Sequence, residues 1–182
     1  MNITANGEDG INGKDYLIVD GGTHTINVSA SKGKGLKSDT ILIAGGSTNI
    51  TCTGSSAEGI EADYLTINDG VIECFAKDDG INGAYSIVIN GGYIYTCGKG
   101  NDGLDSNGTI TINGGVVVAV GAQTPEDGID CDQNNFTITG VSFSASAVAA
   151  VYPQAPASSR LSSMGRPARQ ISVFRCWMAT AT

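Results

Sequence analysis

A degenerate repeat of 21 to 25 residues constrains the fold of this chain more than any other feature of its sequence. A turn phrase of a charged residue, Gly, Ile or Leu, and a polar or charged residue recurs six times, first at residues 9–12 and last at residues 127–130. Its glycines are Gly10, Gly35, Gly59, Gly80, Gly103 and Gly128. A fixed period of this length is typical of stacked repeat architectures, in which one unit cannot bury its apolar face alone.

Each turn phrase is followed by two strands with alternating apolar residues, and a Gly-Gly or Asp-Gly turn separates the two strands in five of the repeats. The period of two indicates β-structure and excludes helices. Parallel strands joined in this way are expected to coil right-handed. The sequence therefore predicts an all-β fold, a right-handed parallel β-helix of about six coils.

Charge and pattern divide the chain at about residue 140. Residues 1–132 contain all 18 acidic residues against six lysines, a net charge of −12, whereas the rest contains four arginines and no acid. We predict a β-helix body over residues 1–140, a piece of a longer helix, and an irregular basic tail over residues 141–182. Two interpretations of that tail stay open: a basic extension, or non-native sequence after a lost coding frame.

The charge and composition of the chain exclude several kinds of partner. An acidic body does not suit nucleic acid, whose phosphates need a positive surface. No apolar run is long enough to span a membrane, and the start of the chain lacks the pattern of a signal peptide. We interpret the chain as a monomeric fragment of a longer secreted protein.

Stacking places equivalent residues of successive coils about 4.8 Å apart and so creates acidic columns. The first column is Asp9, Lys34, Glu58, Asp79, Asp102 and Asp127; the second is Asn12, Lys37, Glu61, Asn82, Asp105 and Asp130; the third is Lys14, Asp39, Asp63, Ala84, Asn107 and Asp132. Two carboxylates ~5 Å apart repel each other by roughly 3 kcal/mol at an effective dielectric constant near 20. Clustered oxygen ligands select calcium. The predicted Ca²⁺ ligands are Asp102, Asp105, Asn107, Asp127, Asp130 and Asp132, with Glu58, Glu61 and Asp79 in earlier coils; a solvated acidic ladder is the alternative.

Two other groups are candidates for contact with a substrate. Lys34 and Lys37 interrupt the acidic columns and admit a catalytic interpretation, although a lysine among acids is more simply a counter-ion with a raised pKa. Tyr64 and Tyr85 point outward near the start of their strands, where they form either a sugar platform or ordinary strand-face residues.

Residues 9–22 and 101–115 resemble a family of secreted bacterial β-helix proteins known as carbohydrate-binding-domain-containing proteins, over roughly residues 5 to 140. The resemblance implies a pectate-lyase-like β-helix that binds calcium and an acidic plant polysaccharide such as polygalacturonate, at the cell surface or outside the cell. The turn aspartates that carry over are Asp79, Asp102, Asp105, Asp127 and Asp130.

These observations predict a secreted, non-catalytic module that binds acidic plant cell-wall polysaccharide through Ca²⁺. The alternatives are a polysaccharide lyase that acts on uronates and a structural surface stalk or adhesin. A basic residue close to the calcium cluster in an open groove would favour the lyase. A flat surface indifferent to sugars would favour the stalk.

Overall fold

The computed structural model describes residues 1–123, 125–132, 135–139 and 146–147. Over these residues the chain is an all-β solenoid of about six coils without helices. The strands are β1 (Asn2–Ala5), β2 (Ile11–Asn12), β3 (Tyr16–Val19), β4 (Thr23–Val28), β5 (Lys34–Ile43), β6 (Ser47–Cys52), β7 (Glu58–Ile67), β8 (Val71–Ala76), β9 (Ile81–Ile89), β10 (Tyr93–Gly98), β11 (Leu104–Ser106), β12 (Thr109–Ile112), β13 (Val116–Val120), β14 (Ile129–Cys131), β15 (Asn135–Ile138) and β16 (Ser146–Ala147).

The strands form two parallel sheets that run along the solenoid. Sheet A has the order β1-β4-β6-β8-β10-β13-β16, and sheet B has the order β14-β11-β9-β7-β5-β2. In sheet B, β3 also pairs with β5, and β12 pairs with β9 and β15. Strands that lie beside each other in a sheet are about one repeat apart in sequence, as in the pairing of Lys34 with Glu58. The predicted parallel β-helix is therefore confirmed.

The core is a narrow column of small and β-branched side chains. Ile50 and Cys52 of β6 and Ile72 and Cys74 of β8 are all at most 1% exposed, as the alternation predicted. Burial raises the pKa of the Cys52 thiol to about 12, so that this cysteine is a neutral core residue. Fully burying one such isoleucine stabilises the fold by about 1.5–3 kcal/mol.

Two glycine positions recur at the corners of the coils. The second glycine of the turn between the two strands has a positive φ, for example 89° at Gly46 and 86° at Gly115, which residues with a Cβ rarely adopt. The glycine of the turn phrase instead faces the wall of the next coil. A Cβ on Gly59 would overlap the Cys74 sulfur and the Gly80 carbonyl oxygen.

The predicted tail, residues 141–182, lies outside the described residues apart from β16, which pairs with β13 through Val118 and Ala119. Among the described residues the structure has no helix that is long and apolar enough to cross a membrane.

Candidate cation-binding site

The second acidic column exists in the register that the repeat predicted, whereas the third is interrupted by a register shift between Ala62 and Tyr64. In the second column Lys37 pairs with Glu61, Glu61 with Asn82, and Asp105 with both Asn82 and Asp130. Parallel pairing without insertions brings every member of this column over its equivalent in the neighbouring coil. The charge of one coil therefore acts directly on the charge of the next.

Three carboxylates converge where the last two turn phrases stack. One carboxylate oxygen from each of Asp102, Asp105 and Asp130 lies within 4.8 Å of the other two. Asp102 is buried, at 5% exposure, and Asp105 and Asp130 are half-buried. We call these three residues the aspartate cluster. Asp102 is the least accessible of the three, and Asp105 and Asp130 are the more accessible ones.

The electrostatics of the aspartate cluster show that its negative charge is not balanced. Burial, together with the charges of Asp102, Asp130 and Asp132, raises the pKa of Asp105 to about 7. Burial and the charges of Asp130, Glu126 and Asp127 raise the pKa of Asp102 to about 6, although Asp102 accepts a hydrogen bond from the Asp127 amide. A raised pKa means that the ionised form of the carboxyl group is destabilised. A bound cation would stabilise that ionised form.

Asp79 continues the same charge into the preceding coil. It is only 4% exposed, and burial and the charges of Asp105, Glu58 and Asp102 raise its pKa to about 7. Its Oδ1 accepts a hydrogen bond of 2.9 Å from the amide of Asp102. Asp79 is thus both a structural acceptor between coils and an uncompensated acid beside the aspartate cluster.

The first column has a structural role that the sequence did not reveal. The carboxylate of Asp9 accepts the Lys34 amide at 2.8 Å, and the carboxylate of Asp102 accepts the Asp127 amide at 2.6 Å. Each acid in this pattern therefore ties its own turn phrase to the phrase of the following coil. The available signal was the acid directly before the glycine, since Asp side chains commonly accept backbone amides at turns.

In the earlier coils lysine side chains pair with the carboxylates. The Lys34 ammonium group lies 2.6 Å from Glu58 Oε1 and 2.9 Å from Glu61 Oε2, and the Lys37 ammonium group lies 2.9 Å from Glu61 Oε1. We call these four residues the lysine–glutamate cluster. The side chains of Lys34 and Glu58 are 10% and 11% exposed, so this is a buried ion pair.

In the lysine–glutamate cluster burial raises the pKa of Glu58, as it does for Asp102 and Asp105, but the pKa values of Lys34 and Glu61 are shifted in the direction that favours their charged forms. Desolvation alone would lower the pKa of Lys34, but hydrogen bonds to Glu58 and Glu61 outweigh it and raise that pKa. Desolvation would raise the pKa of Glu61, but hydrogen bonds from Lys37 and Lys34 hold it below its usual value. Lys34 pairs with Glu58 and Glu61, and Lys37 pairs with Glu61, so the counter-ion interpretation of the two lysines is confirmed.

The structure does not bring the remaining predicted ligands together with the three members of the aspartate cluster. Asp127, Asn107 and Asp132 are exposed. Burial, followed by the charge of Asp130, raises the pKa of Asp127. Asp132 acts electrostatically on Asp105. Glu58 and Glu61 belong to the lysine–glutamate cluster and face ammonium groups rather than an open site.

The two predicted tyrosines are neighbours on the outer surface of sheet B. Tyr64 and Tyr85 are 51% and 58% exposed, and their ring centroids are 5.3 Å apart at an interplanar angle of 35°. The register shifts between Ala62 and Tyr64, so that Tyr64 pairs with Ser86 and Tyr85 lies one residue before that position. The rings pack against each other rather than lying side by side as a flat platform.

A match to a protein family fits this arrangement. Residues 41–174 match the family model described as "Carbohydrate-binding domain-containing protein", and the chain belongs to that family. No curated protein and no solved structure matches the chain. Membership supports the binding of polysaccharide as the general function and is consistent with a non-catalytic protein.

Proposed function

We propose that this protein binds acidic polysaccharide of the polygalacturonate type through Ca²⁺ held by the aspartate cluster. The observation on which this depends is the convergence of Asp102, Asp105 and Asp130 at two stacked coils of a strongly acidic body. A surface of net charge −12 over residues 1–132 repels a polyanion unless divalent cations lie between the two sets of carboxylates.

The donor set fits calcium better than a softer metal. Three carboxylates offer only oxygen ligands. The exposed side chains of Asn107, Asp127 and Asp132 carry further oxygen donors in the same two coils. Calcium takes six to eight oxygen ligands in a loose geometry, which leaves positions for uronate and water oxygens. Asp102, Asp105 and Asp130 would hold the ion, and the ion would supply the bridge to the polysaccharide.

Two lysines were also predicted to contact the substrate. The side chain of Lys37 is 41% exposed and therefore accessible, whereas the side chain of Lys34 is 10% exposed. We propose that Lys37 contacts a uronate carboxylate while Lys34 acts as an internal counter-ion. An extracellular or bacterial cell-surface location and a monomeric state belong to the same proposal.

A lyase is the second candidate, and the lysines are the observation that bears on it. A base that removes a proton beside a uronate carboxylate must be neutral at the working pH. The pKa of Lys34 and that of Lys37 are both raised by their carboxylate partners, which works against such a role. A surface stalk or adhesin remains the alternative if no saccharide is bound.

Affinity electrophoresis tests the proposal directly. We expect polygalacturonate in the gel to retard the protein with calcium and not with a chelator, and a neutral glucan to cause no calcium-dependent retardation. Asp105→Asn with Asp130→Asn should abolish the effect. Asp15→Asn with Asp20→Asn removes the same charge at two exposed positions and serves as the control. Equal retardation of both double variants would exclude the aspartate cluster as the site.

A further inference from the structure

Sheet B also presents a gap between two exposed tyrosines in the first three coils. Tyr16 of β3 pairs with Thr40 of β5, and Thr40 pairs with Tyr64 of β7. Tyr16 and Tyr64 are 53% and 51% exposed. Two large rings therefore stand two strands apart, with a small hydroxyl side chain between them.

We propose that this gap, formed by Tyr16, Thr40 and Tyr64, is a slot for one pyranose ring of a bound saccharide. The proposal rests on the binding of polysaccharide put forward above but does not depend on calcium. It assigns Tyr64, Thr40 and Tyr16 a direct contact with sugar, and it gives Tyr85 the role of a positioning residue behind the ring of Tyr64.

The spacing decides between a slot and a continuous ring stack. Two strand separations place the Cα atoms of Tyr16 and Tyr64 about 9.6 Å apart. A sugar ring between two aromatic rings needs contacts of about 3.5–4.0 Å on each side, or about 8 Å in total. Rings in adjacent coils have no such room, as the 5.3 Å between the centroids of Tyr64 and Tyr85 shows.

The chemistry of the slot suits the C–H face of a pyranose ring. Ile18, at 55% exposure, and the half-buried Leu42 continue the apolar surface along β3 and β5. Thr40 offers one hydroxyl group at the floor, and the tyrosine hydroxyls offer others at the rim. Saccharide sites of this kind combine aromatic walls with few polar groups that fix orientation.

The slot and the aspartate cluster are close enough for one chain to reach both. Tyr64 and Asp105 are two coils and about three residues apart, which corresponds to about 14 Å along the sheet at most. A short oligosaccharide covers that distance. The slot would then hold a sugar ring while calcium holds a carboxylate further along the same chain.

The test uses the full chain with cellohexaose and with an oligogalacturonide in the presence of chelator, measured by calorimetry and by tyrosine fluorescence. Thr40→Phe is the decisive variant because it fills the slot with a ring in register, which should leave the melting temperature unchanged or raise it. We expect the unsubstituted protein to bind weakly and Thr40→Phe to lose at least tenfold in affinity. Tyr64→Ala should lose as much, and Tyr93→Ala, an exposed tyrosine on sheet A, should lose nothing.

The slot would be excluded if no saccharide binds in chelator, or if Thr40→Phe binds as well as the unsubstituted protein. A loss in Tyr64→Ala without a loss in Thr40→Phe would also overturn it, because the sugar would then use another face of that ring. These outcomes are independent of the calcium bridge. If calcium-dependent retardation by polygalacturonate is absent while Thr40→Phe still abolishes binding of cellohexaose, the bridge is wrong and the slot stands.

Discussion

Replacing Asp79 with Asn should stabilise the calcium-free protein, and the gain should grow with pH. The Asp79 carboxyl is 4% exposed and its pKa is about 7, against about 4 for an aspartate in an unfolded chain. The folded state thus keeps a proton that the unfolded state has already released. The stability that comes from the neutral carboxyl is fully present below about pH 4 and is lost as the pH rises through about 7.

The size of the effect follows from the difference between the two pKa values. A separation of about three pH units corresponds to about 4 kcal/mol at pH 8, where both states are ionised, and to roughly 1–2 kcal/mol at pH 5. The Asn side chain keeps an oxygen acceptor for the Asp102 amide, which now lies 2.9 Å from Asp79 Oδ1. Asp79→Asn should therefore gain up to these amounts, because it removes the ionisation without removing the hydrogen bond.

Urea denaturation at pH 5 and pH 8 in chelator measures this gain as a shift of the midpoint at constant slope. Excess calcium should reduce the gain at pH 8, since the cation would offset the charge that Asn removes. Asp20→Asn, at an exposed position, is the control and should change little at either pH. A gain that is absent at pH 8, or larger at pH 5 than at pH 8, would refute the charge argument for this coil.

Three other predictions follow from the two clusters. Calcium at 100 times its dissociation constant should stabilise the fold by about 2.7 kcal/mol, seen as a rise in melting temperature that chelator reverses and that Asp105→Asn with Asp130→Asn largely removes. Lys34→Met should cost about 3–5 kcal/mol in urea denaturation because it leaves buried carboxylates unpaired, whereas Lys99→Met, at an exposed position, should change stability by less than about 0.5 kcal/mol. Polygalacturonate with calcium at alkaline pH should yield no unsaturated product by ultraviolet absorbance; turnover that Lys34→Ala or Lys37→Ala abolishes would instead establish a lyase.

The fold was predictable because one physical rule is repeated six times. Alternation with a period of two fixes which side chains point inward, and Ile41, Leu65, Ile87 and Ile110 are all 0% exposed, as that rule requires. The spacing of the turn phrases fixes which residues become neighbours, so the members of the second column follow from the sequence. Local pattern and tertiary contact give the same information in a solenoid, since each coil contacts only the adjacent ones.

The side-chain contacts of the site depend on distances that the stacking of equivalent residues does not specify. Sequence placed Glu58 and Asp102 as equivalents, yet one meets an ammonium group at 2.6 Å and the other accepts a backbone amide. The bulge between Ala62 and Tyr64 is a further example, because it brings Tyr85 against Tyr64 although Ser86 is the residue in register. Side-chain length and one extra residue decide such contacts, and neither alters the repeat.

The glycine of the turn phrase has a consequence for how the surface can change over time. Because this residue has no side chain, adjacent coils can stack in register. A Cβ at Gly35 or Gly80 would overlap the adjacent coil. The residues beside this glycine differ between coils, and one coil has lysines where another has aspartates. Whole coils are therefore interchangeable units: a duplicated copy of residues 103–127 would insert in phase and lengthen the acidic columns by one strand spacing, about 4.8 Å. In such a molecule the residues that determine binding specificity can change in one coil at a time, while the core stays as it is.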